Sequence, residues 1–197
     1  MKKLLVSAIL LVIASVVKAQ TISEGNTNFL DFQESLIEVQ FDFSNTVFED
    51  GQNYEWWISE VTSKEEWENK AMPYLTKKLL KNINDKANEK NMFFTTSTDK
   101  ANYTMIVAPI SLNRKGNNQS KITFYEKNSN EVKVVFDITA KGGKIGSLTN
   151  LMGDGFGSVG SQLGKYLKKN VRQKVTKTKT INWGFGIKTS KEKEVIK

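Results

Sequence analysis

The chain of 197 residues contains no cysteine and no histidine. Without cysteine no disulfide can support the fold, so an apolar core must do so, and no thiol can carry a lipid. Without histidine, Ser-His-Asp and Cys-His nucleophile systems are excluded. So are His- or Cys-ligated zinc and the two-His-one-carboxylate iron site. No cluster of carboxylates has calcium-loop spacing either. The sequence therefore assigns no catalytic residue, no cofactor and no metal. Proline is scarce, at Pro73 and Pro109 only. Positive charge is missing from one whole stretch, because Gln20 to Ser63 holds nine acidic residues and no Lys or Arg.

The opposite end reverses that balance. From Lys165 to Lys197 there are eleven basic residues and two acidic ones. An acidic front and a basic tail face each other, are simply solvated, or meet outside partners. For the tail the fitting partner is an envelope protein or an anionic surface, including peripheral contact with lipid headgroups.

The long apolar run stands at the start. Lys2 and Lys3 precede Leu4 to Val17, and Val17-Lys18-Ala19 closes the stretch. A basic start, a short apolar core and small residues before a cut site make a secretory signal peptide. Cleavage after Ala19 leaves Gln20 as the first mature residue. Losing Lys2, Lys3 and Lys18 lowers the net charge from +8 to +5. The protein is then expected to be periplasmic or outer-membrane-associated, without a Cys-linked lipid, and an exported protein is not expected to meet nucleic acid.

Residues 20–35 are polar and without a period, which predicts a flexible lead-in. In Leu36 to Phe43, Ile37, Val39, Phe41 and Phe43 alternate with polar residues, the mark of a half-buried strand with an acidic face. Tyr54, Trp56, Trp57 and Trp67 cluster in sequence. They close a core edge or anchor a partner, and if extended, Trp56 and Trp57 point to opposite faces. Ser63 and Glu66 have capping-box spacing for a helix running to about Ala87. Pro73 should divide that helix near Ala71. Met92–Thr96, Tyr103–Leu112, Lys121–Glu126 and Val132–Ala140 read as strands, with Pro109 marking a bulge.

Gly142 to Asn170 reads as the final helix. Ile145, Leu148, Met152, Phe156, Val159, Leu163 and Tyr166 make an apolar stripe, and Gly153, Gly157, Gly160 and Gly164 a bare one beside it. Each Gly costs a helix about 1 kcal/mol against Ala. Close backbone contact with a sheet, a helix or a second molecule must offset that. Gly155 to Gly160 also matches G-x-G-x-x-G, but the strand ends some fifteen residues earlier, at Ala140. Nor does an acid follow until Glu192, so the dinucleotide reading fails its context. Asp137 and Asp154 are the nearest acids, and a carboxylate pair could do glycosidic chemistry.

In the tail, Arg172 with Lys174 and Lys177 with Lys179 place cations at alternate positions. They form a basic strand edge that blocks aggregation or binds a partner. Ile181, Trp183, Phe185 and Ile187 alternate like a strand, and 189–197 reads as disordered.

The expected architecture is one α+β domain over 36–188. It is a two-layer sandwich with a mainly antiparallel sheet of four or five strands and two helices on one face. The signal ending at Ala19-Gln20, the missing His and Cys, the strand Tyr103–Leu112 and the Gly-rich last helix together resemble small exported proteins of unknown function from Bacteroides-type bacteria. Over roughly 36–170 the element order is also similar to TolB N-terminal and CsgG-like envelope domains. The resemblance implies an envelope location and transfers no site residue. Three functions follow as expectations. The first is a non-enzymatic envelope module for binding or assembly, with Trp56, Trp57, Gly153, Gly157, Gly160, Gly164, Arg172, Lys174, Lys177 and Lys179 as contact candidates. The second is a carboxylate-dependent hydrolase of envelope polysaccharide. The third is a self-assembling structural protein that forms a homo-oligomer.

Overall fold

A segment that alternates apolar and polar residues buries one face only when extended. The computed structural model describes residues 20–183 and 186–195, with the backbone alone for Asp50 and for 174–195. The expected signal, residues 1–19, lies outside the described residues.

Strands β1 (Gln20–Gly25), β2 (Ser35–Phe41) and β3 (Val47–Phe48) come first. Helices α1 (Tyr54–Glu60), α2 (Lys64–Glu66) and α3 (Met72–Ala87) follow. Then come β4 (Met92–Thr95), β5 (Tyr103–Leu112), β6 (Asn118–Glu126) and β7 (Val132–Ala140). Helix α4 (Leu148–Asn170) precedes the hairpin β8 (Lys174–Trp183) and β9 (Gly186–Val195).

The fold is α+β, and its sheet is larger than expected. Seven strands form it in the order β1-β7-β6-β5-β2-β4, with β3 also on β5. It is mixed rather than mainly antiparallel, because β2 pairs parallel with both β4 and β5 and β3 pairs parallel with β5. Parallel neighbours need a crossover, and α3 supplies it between β2 and β4. The two extra strands are weak in sequence: β1 lacks a clean period and β3 has two residues. The lead-in is thus a strand followed by a single 3-10 turn at Asn28–Leu30. The tail also differs, since β9 runs through Val195 and pairs with β8 where 189–197 was expected to be disordered.

One sheet face is buried. Ile37, Val39, Met105, Val107, Ile122, Phe124, Phe136 and Ile138 meet Leu75, Leu79 and Ile83 of α3 and Met152, Phe156, Val159 and Leu163 of α4. Gly160 explains how two helices fit on that face. A Cβ there would stand 2.5 Å from the Leu79 carbonyl oxygen and 3.3 Å from the Ile83 nitrogen, so only glycine lets the helix backbones approach this closely. Lys78 and Asp154 tie the same seam at 3.2 Å, and this bond raises the Lys78 pKa. Beyond the seam, Lys168 meets Glu89 at 2.6 Å.

Local signals hold where they are strong. The Ser63 hydroxyl accepts from the Glu66 N–H at 3.0 Å. Pro73 follows a π-helical turn, Trp67–Ala71, that divides the helix. The β5–β6 register shifts between Pro109 and Ser111.

Candidate functional site

The aromatic residues converge where β2 ends. Alternation carries Phe41 and Phe43 to the buried side and leaves Asp42 exposed between them. Tyr54 comes from the start of α1, whose first turn is fixed by the Asn53 side chain accepting from the Trp56 N–H at 2.9 Å. Trp67 opens the π-helical turn and Glu68 follows it. That turn shifts the angular position of its side chains relative to a regular helix. Trp67 is thereby packed between Phe43 and Tyr54, with centroids 5.4 Å and 6.0 Å away. Phe43 stacks on Tyr54 at 5.7 Å and on Phe41 at 5.8 Å.

These rings floor a cleft of about 410 Å³ whose rim carries Asp42, Ser44 and Glu68. A second groove of about 660 Å³, between α1 and α2, also contains Tyr54 and Glu68 and adds Glu55, Ile58 and Lys64, whose ammonium stands 3.9 Å from the Glu68 carboxylate in an exposed ion pair. The two depressions thus share a wall. The Asp42 carboxylate accepts from the Ser44 N–H at 2.9 Å, and its bonds to Ser44 hold its pKa below the ordinary value. Burial pushes the Tyr54 phenol above its ordinary value, partly offset by the Trp67 indole. At neutral pH the cleft therefore presents ring faces, a neutral phenol and an anionic Asp42. Such a surface takes an ammonium or guanidinium group by cation–π attraction and carboxylate pairing.

The predicted contact residues are mostly used inside the fold. Trp57 is completely buried and stacks on Phe48 at 4.6 Å. Trp56 is half-buried against the core. Both sit on a helix, not on an extended segment as assumed for their facing. Gly153, Gly157, Gly160 and Gly164 are buried under α3, opposite Tyr74, Asn82, Leu79 and Ile83. The stripe's contact is thus intramolecular. Gly155 packs on the Gly116 backbone of the β5–β6 turn, where φ is +79°. The G-x-G-x-x-G spacing accordingly lies inside α4 as a packing device. Arg172 is bound at 2.6 Å to Asp31, which also accepts from the Arg172 N–H at 2.8 Å. Lys174, Lys177 and Lys179 lie on β8, and their side chains are outside the described residues.

Asp137 and Asp154 are not a pair. Asp137 points to the sheet face opposite Phe136 and Ile138, whereas Asp154 bonds Lys78 on the helix seam. The layer of core side chains separates them. Among the described residues no group of three or more His, Cys, Asp or Glu could hold a metal ion, and no helix is long and apolar enough to cross a membrane. Sequence reasoning saw the aromatic cluster but missed Asp42 and Glu68. Only the knowledge that Phe43, Tyr54 and Trp67 meet would have drawn attention to the acids beside them.

No protein-family model matches the chain, and no curated protein matches it. Among solved structures it is similar to a PelC dodecamer from Paraburkholderia phytofirmans, at 10% identity and a TM-score of 0.38. That match covers 76% of this chain and 96% of the other. A structure described as an uncharacterized protein matches at 12% identity and a TM-score of 0.42, over 73% of this chain and 99% of the other. At this distance the chemistry of the cleft rests on its own residues.

Proposed function

We propose that this chain is an exported, non-enzymatic binding module of the cell envelope, and that its aromatic cleft takes a basic segment of a partner protein. The observation that carries the reading is the packing of Phe43, Tyr54 and Trp67 into a floor rimmed by Asp42 and Glu68. Ring faces and carboxylates around one opening suit a Lys or Arg side chain, whose stem lies on the rings while its head meets the acids.

The polysaccharide-hydrolase alternative needs a carboxyl held protonated as general acid. The carboxylates displaced from their ordinary values are Glu38, Asp42, Glu89 and Glu126, and hydrogen bonds hold each of them down. That is the direction of a binding anion, not of an acid catalyst. Self-assembly through the glycine stripe conflicts with its burial under α3. Self-assembly through the β8–β9 hairpin stays open, and native mass at high concentration decides it.

A photocrosslinker replacing Ile58, in the groove beside Tyr54, tests the binding reading in the native cell. One dominant envelope adduct, lost on Asp42→Asn, is the expected result. Adducts that are many, weak and indifferent to Asp42 would defeat it.

A further inference from the structure

The large sheet has two outer edges, β1 and β4. An open edge offers unpaired N–H and C=O groups to any passing strand, and bulges, charges or proline usually protect it. β1 carries such protection, a register shift between Ile22 and Glu24. β4 has only its shortness. It reads MFFT, and no charged residue or proline occurs from Asn91 to Thr98. Phe93 on this strand is 40% exposed. Apolar, uncharged segments of this kind pair readily with copies of themselves.

Helix α3 supplies what the strand lacks. Asn84 stands near the end of α3, one residue after the fully buried Ile83. A tight return through Asn91, at φ +53°, brings β4 back alongside the helix. The Asn84 amide nitrogen donates to the Phe94 carbonyl oxygen at 2.8 Å. The Asn84 Oδ1 accepts from the Phe94 N–H at 2.9 Å. One carboxamide thus engages both backbone groups of one residue, as the main chain of a neighbouring strand does.

We propose that Asn84 stands in for an absent strand, and that its carboxamide closes the outer edge of β4 against strand addition by a second copy of this chain. Alanine at this position leaves both Phe94 groups uncovered on a strand that carries no charge to repel a copy of itself. The seal is local, because it needs one side chain and the backbone of one residue. A general loss of stability would not single out that backbone.

Amide hydrogen exchange and sedimentation test this. In the wild type the Phe94 amide should exchange slowly although its strand lies at the edge. In dilute Asn84→Ala it should exchange up to about tenfold faster, and on concentration the mass should rise above that of the wild type. Adding Phe93→Lys puts a charge on the same strand and should return the mass to the wild-type value. Asn82→Ala, on the same helix, loses only a bond to the Lys78 carbonyl and should change neither readout. A wild-type Phe94 amide that exchanges like an open chain overturns the seal without any variant. A mass in Asn84→Ala that stays at the wild-type value, or that rises and is not lowered by Phe93→Lys, overturns β4 as the surface being closed.

Discussion

Gly160 and Gly157 face the same helix and should respond to alanine in opposite ways. At Gly160 the new Cβ meets backbone atoms of Leu79 and Ile83, which cannot move singly. Gly160→Ala should destabilise by about 1–3 kcal/mol in denaturant unfolding, despite its better helix propensity. At Gly157 the nearest atom is the Asn82 side-chain nitrogen, 3.1 Å away, and a side chain can shift. Gly157→Ala should be neutral or stabilising by up to about 1 kcal/mol. Arg172→Ala should cost about 1–3 kcal/mol, because it leaves the Asp31 carboxylate, whose side chain is 6% exposed, with the backbone N–H of residue 172 and without its guanidinium partner. The glycine stripe was legible from spacing because a repeated cost in propensity needs a repeated close contact. What it contacts was not legible, since a sheet, a helix and a second molecule make the same demand on sequence.

At the scale of elements, caps and punctuation read well. Ser63 caps α2 and Pro73 follows the π-helical turn, and both depend on neighbours within a few residues. Asn53→Ala should cost about 0.5–2 kcal/mol through loss of the α1 cap. The same change should loosen the cleft, since α1 positions Tyr54. The parallel pairings of β2 were hidden because their partners are set by the crossover and leave no local mark. The single face of LIEVQFDF reads the same in either pairing.

Ion pairs between elements predict an acid-side loss of stability. Lys127 hydrogen-bonds Glu38 at 2.9 Å and lowers its pKa. Ser129 and Lys133 lower Glu126, and Lys168 lowers Glu89. A carboxyl with a depressed folded value contributes its full stability above the unfolded value of about 4.3, and loses it as pH falls through the folded one. Unfolding midpoints should therefore be flat near neutrality and fall below about pH 5, with Glu38→Gln flattening the fall. An unchanged midpoint down to pH 3 would contradict these pairings.

Over the whole molecule, the acidic front contributes β1, β2 and α1, and its Phe43 and Tyr54 meet Trp67 of the π-helical turn. Composition announced the charge asymmetry, but the cleft forms only when β2, α1 and the π-helical turn meet. The acids on its rim come from segments whose sequence gives no reason to link them. The central claim is that this rim and floor bind a basic segment. The most direct measurement is calorimetric titration of the protein with a Lys-rich peptide, wild type against the Asp42→Asn/Glu68→Gln double variant. The account predicts salt-sensitive binding that weakens by about tenfold, or 1.4 kcal/mol, in the variant, with the unfolding midpoint retained. Equal affinity in the two proteins, or binding indifferent to salt, would contradict it.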